Sequence, residues 1–164
     1  MASFINIFAD ILIIFYLLDL ALYIYVNYKN KLFDFIFCII SATSISEGLK
    51  FVFATSRPIP DLEGGGFPST HSTVAFAAVF FFLLVCRTLS PSKREGKYKN
   101  IFDIVGKVSK SLVVGVAFTM AMFIGYLRIV SGAHYFIDVF AGLILGLLVS
   151  MPFKYYDVSV RKMK

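Results

Sequence analysis

Five long apolar runs, each closed by a charged or turn-forming stretch, constrain this chain more than any other feature. They are read as about Phe4–Val26, Leu32–Ala54, from Ser69 through Val74–Cys86, Ser111–Val130 and His134–Phe153. A bilayer has a hydrocarbon core about 30 Å thick, and a helix needs about 20 mainly apolar residues to cross it. The chain is 59% hydrophobic with a mean hydropathy of +0.81, and 16% of its residues are charged. Soluble domains carry roughly 25% charged residues, so this much apolar surface does not fit one water-facing core. The expected fold is all-α, a single integral membrane domain over 1–164 built as a bundle of about five transmembrane helices. The first run lacks a basic leader and a small-residue cleavage site, so it reads as a retained span rather than a signal peptide. Cys38 and Cys86 both fall inside apolar runs and read as buried free thiols.

Five spans put the two termini on opposite sides. The 27–31 connection, the 87–110 connection and the tail after Phe153 share one face and hold 13 of the 16 Lys and Arg residues. The positive-inside rule makes that face cytoplasmic. The expected location is therefore the cell membrane, multi-pass, with a cytoplasmic C-terminus. Topology accounts for the net charge of +6, and the chain shows neither an internal repeat nor a nucleic-acid motif. Residues 99–110 read as a basic amphipathic helix on the membrane surface. Only Lys50, Arg57 and Arg128 remain on the extracytoplasmic side. No basic neighbours explain them as orientation signals.

Those three cations stand at span ends that face the same way. Arg128-Ile-Val-Ser-Gly-Ala-His134-Tyr-Phe-Ile-Asp138 joins the fourth and fifth runs. An ionisable group against a bilayer costs roughly 2.5–3.5 kcal/mol on insertion scales, and is tolerated when it faces a wet cavity or a partner. His134 and Asp138 are four apart, so on a helix they share a face. The carboxylate is then expected to accept the ring N–H of His134 and leave the other nitrogen free. A buried polar trio that merely pins two helices is the alternative.

The third run opens with Phe67-Pro-Ser-Thr-His71, with Ser69 or Thr70 as the N-cap. A helix N-terminus with open amides is a ready anion site. Both histidines of the chain, His71 and His134, thus start spans on the face that carries the three cations. Cations and amides to hold a phosphate, one histidine to attack and another to protonate the leaving oxygen suit phosphoryl transfer. Each residue also has a plainer role: Lys50 paired with Glu47 one turn earlier, Arg57 snorkelling to a headgroup, His71 as a cap. Two histidines and an aspartate are also a possible metal ligand set, but three cations around one pocket oppose a metal ion. No metal and no cofactor are expected. Asp61-Leu-Glu-Gly-Gly-Gly66, between the second and third runs, is the candidate lid.

Lys50 with Arg57-Pro58, Pro68-Ser-Thr-His71, and Arg128 with His134 and Asp138 resemble the three-part signature of the type-2 phosphatidic-acid phosphatase and vanadium haloperoxidase superfamily. The motif core covers 50–138. The resemblance implies metal-independent hydrolysis through a phosphohistidine. His134 would be the nucleophile, Asp138 its orienting partner and His71 the general acid. Lys50, Arg57, Ser69, Arg128 and the backbone at Thr70 would hold the phosphate. The family commonly has Gly where Thr70 stands and often Ser where Leu127 stands, and many members carry six spans. The haloperoxidase members are soluble, unlike this chain. The expected activity is that of a membrane lipid phosphatase acting on an isoprenoid-lipid diphosphate or phosphate shown on the outer leaflet. Phosphatidic acid or phosphatidylglycerophosphate is the alternative substrate, and a non-catalytic anion or lipid transporter the alternative class.

Overall fold

The computed structural model describes residues 2–59, 65–86 and 108–162; their regular elements are all helices, with no strand among them. Helix α1 spans Ala2–Asn27, and a 3₁₀ turn at Lys29–Lys31 leads into α2 at Leu32–Phe53. Helix α3 runs Thr70–Phe81 and continues as a π-helical turn over Phe82–Cys86; α4 covers Lys110–Val130 and α5 Phe136–Lys162. The segments Ser3–Asn27, Lys29–Phe53, Lys110–Val130 and Phe136–Tyr156 are each long and apolar enough to cross a membrane. The fifth helix, Thr70–Cys86, is apolar but shorter. The all-helical membrane bundle expected from the apolar runs is therefore observed. Most of the surface helix expected over 99–110 and most of the candidate lid lie outside the described residues; of that expected helix, Lys110 begins α4.

Helix α3 is the axis of the bundle, and it packs against each of the other four helices. Its 12 α-helical and 5 π-helical residues span about 25 Å at 1.5 Å per residue, short of the hydrocarbon thickness. Its neighbours shield it, with every residue from Ser72 to Val79 buried. In lipid, helices gain little from apolar burial and associate where small residues let backbones approach. Here Ser72, Thr73, Phe76 and Ala77 of α3 meet Gly142 and Gly146 of α5. A Cβ on Gly142 would lie 2.9 Å from the Ser69 carbonyl oxygen, and one on Gly146 only 2.7 Å from the Ala77 nitrogen. The Tyr16 hydroxyl ties α1 to the same axis by donating to the Ala75 carbonyl at 3.0 Å. Large side chains on the outer helices, such as Phe33, Phe37 and Phe51, point outward, as expected of a lipid-facing surface.

Helix ends set the site. Lys31 closes a 3.1 Å ion pair with Asp34 at the start of α2, where an acid favours the helix dipole. The far end of α2 stops at Ala54, which takes a left-handed φ of 44° while its N–H bonds to the Lys50 carbonyl. The α4–α5 turn is cross-braced: the N–H groups of Ala133 and His134 both donate to the Arg128 carbonyl at 3.1 Å. Gly132 supplies that turn with a φ of 69°, a conformation that favours glycine.

Candidate active site

The ends of α2 and α4 and the starts of α3 and α5 meet at one end of the bundle, and every residue singled out from the sequence lies there. Lys50 ends α2, and Arg57 follows it in the connecting segment. Ser69, Thr70 and His71 open α3, Arg128 stands in the last turn of α4, His134 in the turn, and Asp138 in the first turn of α5. The α3 start is fastened to the α5 start by the Ser69 N–H, which donates to the Asp138 carbonyl at 3.0 Å.

His134 is buried, with 2% of its surface exposed. It precedes α5 by two residues instead of beginning it, which corrects the expected span start. The correction alters its hydrogen bond. The helical i,i+4 geometry is not available to a residue in the turn, and Nδ1 of His134 lies 2.7 Å from the Gly66 carbonyl oxygen. The expected direct bond to Asp138 is not made, because the nearest carboxylate oxygen is 3.6 Å from Nδ1. That same oxygen accepts the Tyr135 N–H at 2.8 Å, so Asp138 caps the helix and sets its charge beside the ring. A carbonyl can only accept, so Nδ1 carries the hydrogen and Nε2 keeps its lone pair. Burial, then repulsion from Arg128, Arg57 and Lys50, push the His134 imidazolium down to about 3, partly offset by the Gly66 carbonyl. The ring is a neutral nitrogen base set among three cations.

Those cations are held differently. Lys50 pairs with Glu47 at 2.8 Å, so the pairing foreseen from the sequence coexists with its place in the site. Arg57 donates from Nη2 to the Gly65 carbonyl at 3.3 Å. Arg128 is 8% exposed; Nη1 reaches Asp10 at 3.4 Å, while its buried Nε finds no acceptor among the described residues. A buried guanidinium N–H without a partner is costly, and an anion oxygen in the site would satisfy it.

Ser69 occupies the N-cap position of α3, yet its side chain makes no capping bond. It accepts from the Ser72 hydroxyl at 3.1 Å instead, leaving the first-turn amides uncapped by it. The Thr70 hydroxyl donates to Glu47 at 2.6 Å, so its side chain is tied away and only its backbone is suited to an anion. His71 is not a simple cap: its Nε2 lies 2.8 Å from the Asp10 carboxylate. Two groups escaped the sequence reading. Asp10 is an acid that interrupts the first apolar run with no visible sequence partner, and the Gly66 carbonyl carries no side-chain signal at all.

A family model described as "PAP2 superfamily" matches residues 31–161. The chain belongs to that superfamily. Over 120 residues, 67% of this chain and 27% of the relative, it is 32% identical to a probable sphingosine-1-phosphate phosphatase of Dictyostelium discoideum. It is 33% identical over 93 residues, 56% of this chain and 20% of the relative, to a dihydrosphingosine 1-phosphate phosphatase of Schizosaccharomyces pombe. The aligned stretches thus span about a quarter of the length of these curated relatives. No solved structure matches the chain.

Proposed function

We propose that this member of the PAP2 superfamily is a metal-independent membrane lipid phosphatase working through a phosphohistidine. The observation that carries the reading is the neutral, buried His134 with Nε2 unengaged, placed among Lys50, Arg57 and the half-satisfied Arg128. Nε2 attacks phosphorus as the bond from phosphorus to the lipid oxygen breaks. His71 gives its ring proton to that oxygen, which leaves as an alcohol or, from a diphosphate, as the lipid monophosphate. Water then attacks the phosphohistidine and returns a proton to His71, releasing inorganic phosphate and restoring His134. Asp138 steadies the positive charge that His134 gains while it is phosphorylated. The three cations and the α3 amides hold the equatorial oxygens, the kind of preorganised stabilisation that dominates such sites.

The site end of the bundle is opposite the Lys29–Lys31 turn, so the basic face and the catalytic face lie on different sides. With the basic face cytoplasmic, the site opens on the extracytoplasmic side of the cell membrane. That placement favours a lipid whose phosphate is displayed there, such as an isoprenoid-lipid diphosphate. The names of the relatives favour a second substrate, a sphingoid-base phosphate, and phosphatidic acid and phosphatidylglycerophosphate complete the set to be compared. The test is phosphate release by the purified protein from these four lipid classes, with magnesium and with chelator. Turnover that survives chelator supports the mechanism; turnover that needs added metal refutes it.

A further inference from the structure

Asp10 belongs to α1, outside the stretch matched by the family model, which begins at residue 31. No other charged side chain lies in this span before Asp19, and an ionisable group there demands a partner. One of its oxygens, Oδ1, serves two groups of the site at once: Nε2 of His71 at 2.8 Å and Nη1 of Arg128 at 3.4 Å. The other ring nitrogen of His71, Nδ1, takes part in no hydrogen bond among the described residues. This geometry answers a difficulty in the chemistry. A general acid must hold a proton when substrate arrives, yet His71 shares its carboxylate with a guanidinium that repels one. A carboxylate at hydrogen-bond distance stabilises the doubly protonated ring and fixes its plane.

We propose that Asp10 is the positioning residue of the general acid, a second histidine–carboxylate pair supplied by α1 to complement His134 and Asp138. The inference rests on the general-acid role given to His71 above. Asp10 accepts the Nε2 hydrogen of the His71 imidazolium and keeps it throughout. The Nδ1 proton passes to the leaving lipid oxygen, and water replaces it in the hydrolytic step. Asp10 touches neither the lipid nor phosphorus. The site is then not contained in the three motifs alone, because α1 completes it.

The experiment compares two substrates with the full chain in detergent: an alkyl lipid phosphate, whose oxygen needs a proton to leave, and a nitroaryl phosphate, whose oxygen does not. His71→Ala is expected to lose far more kcat on the alkyl substrate than on the nitroaryl one, within the roughly 10²–10⁴-fold range of general-acid assistance. Asp10→Asn is expected to show the same selectivity at a smaller size, about ten-fold, and Asp10→Glu to recover part of it. Equal losses on the two substrates in Asp10→Asn, beside a selective His71→Ala, overturn the inference and leave the catalytic reading intact. Faster turnover or tighter vanadate inhibition in Asp10→Asn also overturns it, since Asp10 would then only compete for the anion pocket. A His71→Ala enzyme without leaving-group selectivity overturns the general-acid assignment itself.

Discussion

The Gly66 carbonyl oxygen stands 2.7 Å from Nδ1 of His134, closer than the Asp138 carboxylate at 3.6 Å. A neutral acceptor fixes the tautomer without drawing a proton onto the ring, and the carboxylate waits one short shift away for the charge that forms later. In the proposed mechanism this arrangement would separate the two tasks of orienting a nucleophile and stabilising its cation.

A pH dependence follows from the same contact. With the His134 imidazolium pushed down to about 3, the ring stays neutral across ordinary working pH and, as the proposed nucleophile, should impose no acidic limb of its own on kcat. In the unfolded chain the ring takes its proton near the ordinary value of about 6.5. Between those values the unfolded state binds more protons, so this contribution to stability is full above the unfolded value and is lost as pH falls toward the folded one. Thermal unfolding in detergent should show Tm dropping as pH is lowered through that window. His134→Gln should flatten part of the slope; an unchanged slope refutes the assignment.

Asp138→Asn keeps an oxygen for the Tyr135 N–H, which Asp138 holds at 2.8 Å, but removes the charge beside His134. The variant should fold with a Tm close to the parent and lose about 10²–10³-fold in kcat, the size expected of one preorganised electrostatic contact. Phosphoenzyme trapping with labelled substrate separates the roles further. His134→Ala should trap none, and any covalent phosphate in that variant would place the nucleophile elsewhere.

Arg128→Lys tests the half-satisfied guanidinium. A lysine can keep one contact to Asp10 but cannot present Nε and Nη together in a rigid fork. Vanadate, which takes the shape of the phosphoryl transition state, should inhibit the parent and bind the variant at least about ten-fold more weakly, the cost of one charged hydrogen bond. Equal vanadate affinity would remove Arg128 from the phosphate site.

Much of this architecture was legible because a membrane leaves few choices. Apolar length located the helix ends to within about two residues, except that α5 continues to Lys162, well past the expected Phe153. The rarity of charge on one face singled out Lys50, Arg57 and Arg128. What escaped depended on contacts between distant backbone segments. The break between Val130 and Phe136 took His134 off the helix, so the i,i+4 spacing to Asp138 misidentified the hydrogen-bond acceptor. Nothing in residues 65–67 announced that a glycine carbonyl would take that place. Asp10 interrupts the first apolar run, but the 118-residue separation from Arg128 put their pairing beyond any local pattern. Thr70 departs from the usual glycine, and its hydroxyl is held by Glu47 at 2.6 Å.

Gly146→Ala probes the central packing. Its new Cβ would lie 2.7 Å from the Ala77 nitrogen and 2.8 Å from the Thr73 carbonyl oxygen, and both are backbone atoms of α3 that cannot rotate aside. The helices must part, at an overpacking cost of about 1–3 kcal/mol. A lowered Tm together with reduced kcat is expected, since α3 carries His71. A Tm equal to the parent's would mean that the α3–α5 contact is looser than described.

The side on which the site opens is open to direct measurement. Ser56 is exposed in the segment that follows α2 at the site end, and Lys29 is exposed at the opposite end, in the turn before α2. Cys38 and Cys86 are both buried, so they contribute little background to a thiol label. In intact cells a maleimide that does not cross membranes should modify Ser56→Cys and spare Lys29→Cys, which should react only once the membrane is opened. Serine to cysteine is a small change outside any helix, so the first variant should retain turnover and report on the working enzyme. The reverse labelling pattern would turn the site toward the cytoplasm. The isoprenoid carrier would then lose its support, and lipid phosphates of the inner leaflet would become the substrates to test.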